Sequence, residues 1–149
     1  MSKELSEEEI EDAKRFAANE LGTLENIFNS DKLSKMINTF INKFVICEQI
    51  YKNTYKHVKS NDCNVIRINY VKKFFHDLKY DFNDELLKNI FGSEKHRNRS
   101  SAKKLRDSIM HDMNSGAIKE ITTRYDELIG YMDVFLNGIR SHTEKEKEE

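Results

Sequence analysis

An all-α, up-and-down bundle of four to five helices is the fold class the sequence predicts, and three observations carry it. Every apolar pattern longer than a few residues recurs with a period near 3.6, the signature of one buried helix face. No run of alternating apolar and polar residues has a partner strand. The 149 residues contain no proline and only five glycines, so the chain has few helix breakers. With 38% hydrophobic and 34% charged residues, it has the balance of amphipathic helices with solvated outer faces.

Length favours one domain, taken as residues 1–143, followed by a charged tail at 144–149. Cys47 and Cys63 are too far apart for a C-x-x-C site and read as ordinary thiols of a reducing compartment. The acidic start M-S-K-E-L-S-E-E-E lacks the pattern of a signal peptide, and no apolar run approaches the roughly 20 residues of a membrane span. A soluble, cytoplasmic protein is expected. His57, His76, His96 and His142 have no convincing set of acidic or Cys partners at ligand spacing, so neither metal nor cofactor is expected.

Taken in order, Ser6 and Glu9 match a capping box, and Ile10, Ala13, Ala17, Leu21 and Leu24 follow at helical spacing, which predicts a first helix from Glu7 to about Phe28. Asn29-Ser30-Asp31 signals a turn. Leu33, Ile37, Phe40, Phe44, Cys47 and Tyr51 then step by four and three, and Met36, Ile41 and Ile50 widen that stripe, so a long second helix to about Val58 should be central. Lys59-Ser60-Asn61-Asp62 reads as a loop, and Val65 to Ile68 leads into a helix carrying Val71, Phe74, Phe75 and Leu78, with His76 as a structural histidine beside its apolar face. Phe82, Asn83 and Leu87 fit a hydrophobic staple around an Asn cap, opening a short helix that ends at Phe91 and Gly92. After the turn at Asn114-Ser115-Gly116, the residues Ile118, Ile121, Tyr125, Leu128, Met132, Phe135 and Ile139 form a strict three-four seam. That seam suits either a bundle helix or an interface between subunits.

The stretch with the most chemical information is Lys95 to Asp112. Lys95, Arg97, Arg99, Lys103, Lys104 and Arg106 are gathered there with no acidic residue between Lys95 and Arg106, in a chain whose formal net charge is only −1. A local basic block of this kind points to an anionic ligand, and phosphate is the usual one. On a helix, Ala102, Leu105, Ile109 and Met113 share the core stripe, while Arg99, Lys103, Arg106, Asp107, Met110 and His111 take the opposite arc. Asp107 and His111 are four apart, so the carboxylate can orient the imidazole.

Arg106-Asp107-Ser108-Ile109-Met110-His111 resembles the R-x4-H motif of HEPN domains, helical bundles of which many are metal-independent ribonucleases. The polar residue directly after the Arg, the apolar long helix that follows and the all-helical pattern before it strengthen the likeness. In the HEPN toxins that pair with a minimal nucleotidyltransferase, a Tyr commonly stands two residues after the His. Here that position is Met113.

The resemblance implies an RNA endonuclease that works as a homodimer with a composite cleft across the motif helix, in defence, stress response or RNA processing, with a cognate antitoxin or regulatory protein as a further partner. Arg106, Asp107 and His111 are then the catalytic candidates, with Arg106 clamping the phosphate, His111 handling the 2′-hydroxyl proton and Asp107 orienting His111. Lys95, Arg97, Arg99, Lys103 and Lys104 are the RNA-binding candidates, and Met110, an apolar residue within a polar arc, is the candidate dimer contact. A different class stays open: a non-catalytic helical module that dimerises or holds a partner protein, with the basic stretch as docking surface and Arg106, Asp107 and His111 in surface salt bridges.

Overall fold

A computed structural model describes residues 6–28, 31–93, 100–112 and 115–148. Among these residues the chain is all-α, with seven helices in the order α1 (Glu7–Phe28), α2 (Asp31–Lys59), α3 (Ile68–Asp77), α4 (Asp84–Phe91), α5 (Ala102–Asp112), α6 (Ser115–Thr123) and α7 (Tyr125–Glu148). The chain divides into two compact units, residues 1–35 and 36–149.

The first unit contains α1 and the first turn of α2. The capping box forms as its sequence requires: Glu9 N–H donates to Ser6 Oγ at 3.1 Å, and Ser6 N–H donates to Glu9 Oε1 at 3.2 Å.

In the second unit the stripe of α2 becomes the core, with Ile37, Phe40, Phe44, Cys47 and Tyr51 all buried. Aromatic rings connect it to its neighbours. Tyr51 meets Phe74 and Phe75 of α3 at 5.6 and 5.9 Å between centroids, and Phe44 meets Phe91 of α4 at 6.3 Å. Phe135 of α7 lies 5.4 Å from Phe75 and 5.5 Å from Phe91. Such tilted and edge-on pairs add modestly to the area each ring removes from water. An ion pair between Lys43 and Asp133 ties α2 to α7 at the edge of this core.

Local signals set the shorter helices. Asn83 caps α4 by accepting from Glu85 N–H at 2.7 Å, as its position predicts. Helix α3 ends in a Schellman motif, with Lys79 at φ 66° and Tyr80 N–H donating to the Phe75 carbonyl at 3.1 Å. His76 is exposed rather than packed, and its Nε2 lies 3.1 Å from Asp84 Oδ1.

Two sequence expectations change. The all-α bundle stands, with seven helices among the described residues where four to five were expected, and the region after the motif divides into α6 and α7. The closing helix is interrupted for one residue at Arg124, although Arg124 N–H still donates to Glu120 O and Leu128 N–H to Arg124 O, both at 2.9 Å. Thr122, whose hydroxyl donates to the Lys119 carbonyl at 3.0 Å, precedes that interruption. Of the seam residues, Ile118, Ile121, Leu128, Met132 and Phe135 are buried within this one chain and belong to its core, while Tyr125 and Ile139 are half-buried.

Candidate functional site

Helix α5 carries the R-x4-H motif, and its start is held from two sides. Ser101 donates its hydroxyl to the Gly92 carbonyl and accepts from Lys104 N–H at 3.0 Å, so it serves as the N-cap. Next to it, Ser100 N–H donates to Glu120 Oε2 at 2.9 Å, and Arg124 Nη1 donates to the Ser100 carbonyl at 2.9 Å. Arg124 also donates from Nε to Glu127 at 3.0 Å and pairs with Glu120. Burial works against its charge, but the hydrogen bonds to Glu127 and Glu120 outweigh that and raise its pKa. The segment that enters the motif is thus clamped to the junction of α6 and α7.

Inside α5, Ala102, Leu105 and Ile109 are buried as the periodicity predicts. Arg106 departs from its expected outward place. Its side chain is only 21% exposed: Nη2 donates to Glu48 Oε2 at 2.8 Å, Glu48 itself is 11% exposed, and the guanidinium lies over the Phe44 ring at 5.0 Å. The long aliphatic stem lets the head fold back across the edge of the core stripe, a reach that a helical wheel omits. Arg106 Nε is within 3.3 Å of Asp107 Oδ1 but without hydrogen-bond alignment, leaving a buried donor unmet.

Asp107 is taken up by its own neighbours. Lys103 Nζ donates to Oδ2 at 3.1 Å, and Arg106 faces Oδ1, so the carboxylate makes no hydrogen bond to His111. His111 is exposed and has no hydrogen bond or ion pair among the described residues. Met110 beside it is 63% exposed. Lys104 is exposed too, whereas Lys95, Arg97 and Arg99, with His96 and Met113, lie outside the described residues.

Around Arg106 is an open pocket of ≈ 230 Å³ lined by Glu48, Lys52, Asn64, Val65, Ile66, Lys103, Arg106 and Asp107. It places three cations against two carboxylates. Glu48, Lys52 and the loop residue Asn64 were missed by sequence reasoning. Glu48 has one recoverable signal, a carboxylate next to the apolar stripe of a central helix, which needs a buried cation to be tolerated. No group of three or more His, Cys, Asp or Glu side chains among the described residues is placed to hold a metal ion. No helix among them is long and apolar enough to cross a membrane.

Fold and site together define an all-α helical bundle with an arginine-centred polar pocket on α5. Compared with known proteins, the chain matches no family model, no curated protein and no solved structure.

Proposed function

We propose that this bundle is a metal-independent RNA endonuclease of the HEPN type, active as a homodimer with a composite cleft and serving defence, stress response or RNA processing. The observation that carries the reading is the pairing of roles on one short helix. Arg106 is pre-oriented by Glu48 and Phe44 and lines a pocket with Lys52 and Lys103. His111, five residues on, is exposed and uncommitted among the described residues.

Those are the parts that cleavage by the 2′-hydroxyl requires. The 2′-oxygen forms a bond to phosphorus as its proton passes to His111, the bond from phosphorus to the 5′-oxygen breaks, and the leaving oxygen takes a proton from solvent. Charge building on the phosphorane falls to Arg106, with Lys52 and Lys103 beside it. The products are a 2′,3′-cyclic phosphate and a 5′-hydroxyl. RNA is cut and DNA is spared, because only RNA carries the nucleophile. The test is incubation of the protein with single-stranded RNA in excess EDTA, beside the same strand with one 2′-deoxy sugar at the scission point. Cleavage of the first and survival of the second at that bond supports the reading, and intact RNA in both removes it.

One observation favours a second reading. Arg106 already has a carboxylate partner in Glu48, which suits a structural ion pair in a non-catalytic module that dimerises through the Met110 face or holds a partner protein. Under that reading no RNA is cut, and a partner protein becomes the ligand to seek; a cognate antitoxin or regulatory protein belongs to the nuclease reading.

A further inference from the structure

A second cavity, of ≈ 360 Å³, opens between the C-terminal half of α2, the loop at residues 60–67 and one side of α3 from Tyr70 to Asp77. Its volume falls at the lower end of what small-molecule sites occupy. Its floor is aromatic: Tyr51, Tyr55 and Phe74 pack with centroid separations of 5.5 to 6.1 Å. Two apolar side chains on its wall stand out into solvent, Tyr70 at 60% and Val65 at 61% exposure, although each is next to buried core it does not join.

Charge at this cavity is not balanced. Of the ionic groups that line it, Lys73 is paired with Asp77 at 3.1 Å, and Asp62 is paired with Lys56 at 3.3 Å. That leaves Lys59 and Arg67 as the cations without an ion pair among the described residues. An aromatic floor and exposed ring beside two uncompensated cations is the combination that receives a planar base and its phosphate. The loop is also held in shape. The Cys63 thiol donates to the Val65 carbonyl at 3.4 Å, and burial, with Cys63 nearby, raises the Tyr51 pKa, so the phenol stays neutral.

We infer that this cavity is a nucleotide subsite that takes one unpaired nucleotide, its base against Tyr55 and Tyr70 and its phosphate on Arg67 and Lys59. The inference rests on the RNA reading above and adds a place for the substrate. Asn64 and Val65 line both this cavity and the Arg106 pocket, so the loop forms a common wall between them. A strand with one base in the aromatic cavity can pass that wall and present a neighbouring phosphate to Arg106. Cleavage then favours flexible single strands, whose bases are free to turn out of a stack.

The test separates binding from cutting. A labelled single-stranded RNA, 2′-O-methylated throughout so that no sugar can attack, is titrated with full-length protein and followed by fluorescence anisotropy. Tyr70→Ala and Arg67→Ala, both at exposed positions, are compared with wild type after circular dichroism melts show them folded. Each should weaken binding roughly tenfold or more, the usual scale for one lost stack or phosphate contact. Uridine and adenosine 5′-monophosphates are added as competitors. Displacement of the strand by either assigns the site to free nucleotides as well as strands, and failure to displace it confines the site to a nucleotide within a strand; both outcomes uphold it. Wild type that binds neither strand nor mononucleotide, or variants that bind as tightly as wild type, overturn it. Binding lost in both variants by a protein that never cuts RNA removes the nuclease reading and leaves this site standing. Unchanged binding in the variants of a protein that does cut removes this site alone.

Discussion

Replacing Arg106 with alanine should destabilise the fold as well as alter the site. The substitution strips Glu48, a carboxylate with 11% side-chain exposure, of its cation, and removes the guanidinium that covers Phe44 at 5.0 Å. Breaking a buried pair by deleting one partner costs about 3–5 kcal/mol. Arg106 keeps 21% exposure and so belongs near the low end, while the lost cation–π contact adds about 0.5–1 kcal/mol. A loss of about 3–4 kcal/mol follows, equivalent to a drop of roughly 10 °C in melting temperature for a chain of this size. Urea unfolding followed by circular dichroism measures it. The paired change Arg106→Met with Glu48→Leu should recover stability to within about 1 kcal/mol of wild type, because no unpaired charge remains. An Arg106→Ala protein within about 1 kcal/mol of wild type would refute the half-buried pair, since surface ion pairs are worth about that or less. The same result bears on catalysis, because lost activity in Arg106→Ala has two causes unless the folded fraction is known.

Three further outcomes are expected. Gly138→Ala should cost about 1–3 kcal/mol because a Cβ there collides with the Phe82 ring, whereas Gly130→Ala, with nothing within 4 Å, should stabilise α7 by up to about 1 kcal/mol; thermal melts of both test the packing. Burial pushes the Cys47 thiol from its ordinary 9.0 up to about 12, so the folded state holds that proton where the unfolded chain releases it, and its contribution to stability is complete below pH 9 and lost as pH rises toward 12. Urea midpoints at pH 8 and pH 10.5 should show that fall, and a native thiol titration at pH 8 should label Cys63 while sparing Cys47. If the exposed Met110 is a contact between copies, sedimentation should show a dimer at micromolar concentration in wild type and at least tenfold weaker association in Met110→Asp, and a strictly monomeric wild type would end the composite-cleft proposal.

How far the sequence could be read depends on whether a signal is local. The Ser6–Glu9 box, the Asn83 cap and the stripe from Ile37 to Tyr51 are set by neighbours within a few residues, and each is found where its spacing places it. Arg106 was misplaced because its partner Glu48 is 58 residues away and its long stem bends across the helix face. The junction at Arg124 was invisible for the opposite reason: the three-four seam continues through it, and the clamp between Ser100, Glu120 and Glu127 depends on contacts up to 24 residues apart. Asp107 was assigned to His111 on spacing alone, yet Lys103 satisfies the same four-residue rule from the other direction and, with Arg106, holds the carboxylate. The aromatic cavity was not legible, since Tyr51 and Phe74 fall on core stripes and only folding shows that Tyr70 and Val65 are left exposed beside them.

The measurement that tests the nuclease reading most directly is the rate of RNA cleavage by His111→Ala against wild type, in EDTA, on a single-stranded substrate. His111 is exposed and makes no hydrogen bond or ion pair among the described residues, so its removal should leave stability and association unchanged and any lost rate is chemical. The account predicts a loss on the order of a hundredfold or more, with wild type leaving a 2′,3′-cyclic phosphate end. A His111→Ala protein that cuts as fast as wild type, or a wild type that cuts no RNA, contradicts it and leaves the partner-binding module as the function of this bundle.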